Sequence, residues 1–229
     1  MFSHVGTLVL EVLFPARCIG CQIRGTALCA GCRAELPYLP ASVCRRCASL
    51  RSARGVCRGC RRLSPALSTL RVPFAYEGAA RTAVLNLKFR SGRYLVPLMG
   101  EFLRRELELR PLHADVVVPV PLAPTRMRLR GYNQALLLAH QVASVVRGEV
   151  IMDALVREER PPQQSLAAAE RLLNLQGAFR CPRPTQVHNH SIVLVDDVVT
   201  TGATLSACTD TLAEAGARRV SALAFARDL

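Results

Sequence analysis

The 229 residues include no tryptophan, and aromatic side chains make up only 5% of them. Stacking platforms for single-stranded nucleic acid are therefore scarce, with Tyr38, Tyr76, Tyr94 and Tyr132 the only tyrosines available. Lysine is nearly absent too: Lys88 stands alone, and arginine carries the remaining basic charge. Codon usage produces the same bias, so it is not read as selection for guanidinium forks. No apolar run is long enough to span a bilayer. The opening MFSHVGTLVLEVLFPAR is apolar, but it has no basic leader and no small-residue cleavage site, and Glu11 interrupts it. It reads as a short helix docking one apolar face, and a cytoplasmic protein is expected.

What is present bounds the rest. Half of the residues are hydrophobic, enough for a proper core and against disorder. The length suits one large domain, or an ordinary domain with a small accessory module. A formal charge of +13 points to an anionic partner, whether nucleotide, phosphosugar or nucleic acid.

Eight of the 10 cysteines fall between residues 18 and 60, as the pairs Cys18/Cys21, Cys29/Cys32, Cys44/Cys47 and Cys57/Cys60. Each Cys-x-x-Cys knuckle presents two sulfurs to one tetrahedral ion, so four pairs predict two structural Zn²⁺ sites. With no secretion signal, metal is favoured over disulfides. The spacing suits two successive ribbons, and an interleaved cross-brace stays open. So small a segment draws most of its folding free energy from the metal. Residues 1–62 hold ten Arg against two Glu, a net of +8. Each tetrathiolate zinc is a net dianion, which lowers that segment to about +4 and the chain to about +9. A basic patch survives as a weak signal of nucleic-acid contact.

Residues 63–70 read as a linker between this module (1–62) and a second domain (71–229). There, helices predicted over "GAARTAVLNLKF", 94–109, the stretch after Gly131, and 203–215 alternate with strands. The strands include "ADVVVPVPL", Ile192 to Val195 and Val220 to Phe225. That alternation predicts an α/β fold with a parallel sheet flanked by helices. Cys208 shares a helix face with Leu205 and Leu212 and reads as core. Cys181 receives no role, and "HNH" at 188–190 reads as a solvated turn.

The most specific stretch is "IVLVDDVVTTGAT", 192–204. A buried strand ends in two acids, then a small-residue turn, then a helix. Backbone N–H groups of Thr200, Thr201, Gly202, Ala203 and Thr204 can wrap a phosphate at the start of that helix. Asp196 and Asp197 repel phosphate but accept from sugar hydroxyls. Together they suit a ribose held by its diol, with its 5′-phosphate in the turn.

This pattern resembles the phosphoribosyl pyrophosphate signature of type I phosphoribosyltransferases. The resemblance implies that the loop takes the ribose-5-phosphate half and that Mg²⁺ bridges ribose and pyrophosphate oxygens. With the cysteine knuckles, "YEGAARTAVLNLKF", "VVVPVPL", "RMRLRGYNQA" and "QQSLAAAERLLNLQGAF" added, the chain from about Cys18 to its end is similar to the ComF competence-protein family. That likeness implies a phosphoribosyltransferase-like core behind a zinc-ribbon module, and an association with DNA uptake in natural transformation. It also implies a pyrophosphate-side loop at 118–130, with Arg126, Arg128, Arg130 and Lys88 as phosphate contacts. Residues 157–174 correspond to the closing loop of related amidotransferase-like enzymes, matched at Gln163, Glu170, Arg171 and Asn174. Arg160 stands where a Thr is expected.

Two functions follow. One is a protein that binds phosphoribosyl pyrophosphate with Mg²⁺, with phosphoribosyl transfer left open. The other is a single-stranded DNA-binding adaptor, working with other competence proteins, whose phosphoribosyl site is non-catalytic. No nucleobase hood and no N-terminal glutaminase cysteine can be recognised, so the sequence names no acceptor.

Overall fold

Alternate residues of the two longest strands sort into two cores, and that sorting builds the molecule. A computed structural model describes residues 16–50, 57, 59–89, 92–159 and 177–229. The expected N-terminal helix and the positions Arg160, Gln163, Glu170, Arg171 and Asn174 lie outside the described residues. A short helix α1 (Ala30–Ala34) lies in the cysteine region. It is followed by β1 (Leu67–Arg71), β2 (Phe74–Ala75), α2 (Gly78–Phe89), α3 (Val96–Leu109) and β3 (Val116–Pro119). Next come α4 (Pro124–Arg130), α5 (Gln134–Val146), β4 (Glu149–Val150), β5 (Val156–Arg157) and β6 (Phe179–Arg180). The chain closes with β7 (Ser191–Val199), α6 (Ala203–Glu214) and β8 (Arg219–Arg227).

The main sheet is parallel throughout, in the order β1-β8-β7-β3-β4, with β2 continuing the β1 edge along β8. β5 and β6 form a separate antiparallel pair. Side chains alternate across a strand. Val193, Val195, Leu223 and Phe225 thus face one core, with α2, α3 and α5. Ile192, Leu194, Ala222 and Ala224 face the other, with α6. The helix after β3 therefore covers one face and the helix after β7 the other. The crevice between the carboxyl ends of β3 and β7 is a topological switch point, where open α/β sheets bind ligands.

Three sequence expectations change. Residues 63–70 are not a free linker: Leu63, Leu67 and Leu70 are buried, and β1 begins at Leu67 because β8 offers it a parallel edge. β7 does not stop at Val195 but runs through both acids, since β8 keeps pairing it as far as Val199 opposite Arg227. The loop expected after Pro121 contains helix α4, opened by Pro124 and closed by Gly131 in the left-handed region (φ 75°). The zinc-ribbon module packs closely on the sheet: Cys18, Ile19, Leu28 and Leu36 join the first core, and Cys44, Cys47 and Ala48 the second.

Candidate functional site

The two cysteine clusters assemble in succession, Cys18, Cys21, Cys29 and Cys32 in one and Cys44, Cys47, Cys57 and Cys60 in the other. The cross-brace is thereby excluded. In a tetrahedral zinc site with bonds of about 2.3 Å, sulfurs stand about 3.8 Å apart. Here Cys18–Cys29 and Cys21–Cys29 are both 3.7 Å apart, Cys44–Cys60 3.5 Å and Cys47–Cys57 3.4 Å. The knuckles are tied locally: the Cys29 amide donates to Cys18 Sγ at 3.4 Å, and the Cys32 amide to Cys29 Sγ at 3.5 Å. Each cluster fits one tetrahedral zinc.

A cavity of about 750 Å³ opens at the switch point. Lys88 from α2, Arg126 and Arg130 from α4, Arg157 from β5, both acids of β7, and Thr200 and Thr204 all line it. Thr201, Gly202 and Ala203 belong to the same turn without lining the cavity wall. Arg128 points elsewhere, pairing with Glu159 at 3.5 Å.

The adjacent acids have different surroundings because they lie within a strand and face opposite ways. Asp197 is buried, and Lys88 Nζ stands 3.0 Å from its Oδ2. Lys88, expected to meet phosphate, is half-buried and pairs with the buried Asp197. Asp196 accepts the Asp197 amide at 2.8 Å. Burial, and secondarily the charge of Asp197, raises its carboxyl well above the usual carboxylate range, with Lys88 opposing.

On the other wall, Asn133 caps α5 by accepting the Ala135 amide at 2.9 Å, and its Nδ2 donates to the Val120 carbonyl at 3.0 Å. That cap ties the start of α5 to Val120, just past β3, and α4 meets α5 where Arg130 donates to Gln134; Arg130 also stacks over Phe89 at 5.5 Å. Tyr132 donates its hydroxyl to the Leu87 carbonyl, joining the same wall to α2. Burial lowers the pKa of Arg130 and of Arg157, so both guanidinium groups are incompletely hydrated and suited to an anion. The sequence did not single out Arg157 as a cavity residue. Arg157 stacks over Phe179 at 5.5 Å, a contact between β5 and β6.

In the turn, Gly202 has φ 85°, and a Cβ there would stand 2.3 Å from Leu63 Cδ2. Thr201 Oγ1 accepts the Ala203 amide at 3.3 Å. Among the described residues the amides of Thr200, Thr201 and Gly202 have no protein acceptor. Of these residues Thr200 lines the cavity, together with Arg126, Arg130 and Arg157, and free amides at a helix start are donors chemically suited to an anion.

Comparison with known proteins agrees with this assembly. Residues 133–228 match the phosphoribosyl transferase domain, and residues 9–61 the double zinc ribbon domain. Competence protein F of Haemophilus influenzae is 28% identical over 93% of this chain and 98% of its own length. The chain is a homologue of the ComF-type competence proteins. Competence protein ComFC of Bacillus subtilis is 29% identical, over 82% of this chain and 79% of its own. DNA utilization protein YhgH of Escherichia coli is 35% identical, over 56% and 60%. Among the described residues no helix is long and apolar enough to cross a membrane.

Proposed function

We propose that the switch-point cavity binds phosphoribosyl pyrophosphate together with Mg²⁺. The observation that carries this reading is the acid pair near the end of β7, two residues ahead of a turn of free amides. In the bound state Asp196 accepts from the ribose diol, and Asp197 holds Lys88 beside it. The 5′-phosphate lies in the turn 200–204, against the start of α6. Arg126, Arg130 and Arg157 face the diphosphate from the opposite wall. Asp196, a carboxylate lining the cavity, would help hold a bound Mg²⁺, which would neutralise diphosphate charge. The chain's own contribution to phosphoribosyl transfer would be positioning and electrostatics.

Calorimetric titration with phosphoribosyl pyrophosphate and Mg²⁺ tests the site. The wild-type chain is expected to bind, and an Asp196→Asn/Asp197→Asn variant to lose affinity by about tenfold or more, the loss of at least one charge-assisted contact. Unchanged binding by the variant would remove the acids from the site. Pyrophosphate release, screened with nucleobases, amines and DNA, then reads out whether an acceptor is used.

We also infer a role in handling single-stranded DNA, in the cytoplasm and with other competence proteins. The names of the relatives and the excess of arginine in the ribbons support it. The zinc-loaded chain is expected to retain single-stranded DNA at low salt and release it as salt rises; no retention at low salt would sink this reading.

A further inference from the structure

Arg227, the last residue of β8, is the one buried arginine among the described residues, at 4% exposure. Its Nη2 donates to Ser49 Oγ at 2.8 Å. Its Nε and Nη1 are enclosed with no partner among the described residues. A buried cation in that state costs several kcal/mol unless an anion faces it. The Ser49 hydroxyl and Cys47 Sγ crowd the same side of Gly59, 2.2 and 2.9 Å from where a Cβ would stand. The group that accepts from Arg227 is therefore beside a sulfur of the second cluster. Burial lowers the Arg227 pKa, and the charges of Cys47, Cys57, Cys60 and Cys44 oppose that. A zinc bound by four thiolates is a dianion, and such an anion would answer Arg227.

The same region supports the phosphate turn. Arg227 pairs in register with Val199, the residue before Thr200. The Asp228 amide donates to the Val199 carbonyl at 2.9 Å, and the Tyr76 amide to the Arg227 carbonyl at 2.7 Å. Three residues beyond Cys60, Leu63 fills the space under Gly202. The Ser64 amide donates to Ser206 Oγ at 2.9 Å, and its hydroxyl to Asp210 Oδ1 at 2.5 Å, both on α6.

We propose that Arg227 is the built-in counterion of the second tetrathiolate site, and that this site and the turn at 200–204 are coupled through Arg227, Leu63 and Ser64. Arg227 is a positioning residue in this scheme and does not enter the cavity. The coupling half deepens the phosphosugar reading and rests on it; the counterion half does not. By linkage, a ligand in the turn must tighten zinc as much as zinc tightens the ligand.

The test uses the full chain loaded with zinc at both clusters. Chelation by a zinc-responsive dye is followed in time, with and without phosphoribosyl pyrophosphate and Mg²⁺. Arg227→Met is expected to speed one release phase about tenfold or more, the usual scale for losing an outer-shell partner, and to leave the other phase alone. Arg227→Lys, which keeps the charge, restores part of the difference. Ser49→Ala speeds the same phase and serves if Arg227→Met does not fold. Both phases unchanged in these variants would overturn the counterion. For the coupling, phosphoribosyl pyrophosphate slows that phase in the wild type but not in Arg227→Met. Amide exchange at 199–206 also rises in Cys44→Ser and stays low in Cys18→Ser. If calorimetry detects no binding, the phosphosugar reading fails by itself, and exchange still decides the coupling. Equal exchange in the two cysteine variants overturns it.

Discussion

Asp196 and Asp197 are neighbours in sequence with opposite electrostatic fates. Asp197 has a cation at 3.0 Å and is buried as half of an ion pair. Asp196 has burial and a like charge beside it, so its proton is held more tightly folded than unfolded. A group whose folded pKa is raised stabilises the fold below its unfolded pKa and loses that contribution as pH rises through the folded value. The stability of the unliganded chain should therefore decline from about pH 4 upward through the raised pKa of Asp196. Asp196→Asn is expected to flatten that decline and raise Tm near pH 7 by a few degrees, while phosphosugar affinity falls. Thermal denaturation across pH checks this, and a variant with the wild-type slope would deny Asp196 the role. Stability gained where binding is lost is the usual sign of strain held for a ligand.

Among the elements, β7, its turn and α6 form the unit proposed to bind the phosphosugar, and Gly202 is its joint. A side chain there meets two penalties: a left-handed backbone at φ 85° and a contact with buried Leu63. Gly202→Ala should cost about 2 kcal/mol or more in denaturant unfolding, and weaken phosphosugar binding as the turn shifts. This unit was the most legible part of the chain, because strand, acids, turn and helix are contiguous. The zinc clusters were legible for the same reason: Cys-x-x-Cys is local, and the spacing of seven and nine residues left only their pairing open. What was not legible depends on partners distant in sequence. Leu67–Arg71 is a strand only because β8, some 150 residues later, offers an edge. β7 extends past Val195 for the same reason. Arg157 lines the cavity while stacking over Phe179, a partner more than 20 residues away. Local chemistry named the ligand-facing turn; tertiary pairing decided where its strand ends.

At the scale of the molecule, charge and the zinc sites have to be considered together. The formal +13 omits about four negative charges that two tetrathiolates would carry. Loaded ribbons are thus less basic than their sequence, and removing zinc would add positive charge while dismantling the surface that displays it. Arg17, Arg24, Arg45, Arg61 and Arg62 remain exposed on the described part of the ribbons. If DNA is held there, replacing Arg61 and Arg62 with Ser should lower the salt concentration at which DNA is released, with phosphosugar binding unchanged. Retention assays on the zinc-loaded chain measure this. An unaltered release point would move the DNA contact off this surface.

The ribbons lie on opposite faces of one sheet edge, the first against Phe74 and Phe102 and the second against Leu67 and Leu70. Excising residues 1–62 would therefore not liberate an intact α/β half. It would uncover apolar surface on both sides of β1 and β2 and leave a parallel edge ready to pair with another chain. The cysteine-rich segment and the α/β sheet consequently share their cores, and a swap of either one between relatives would have to carry the matching apolar surface of the other.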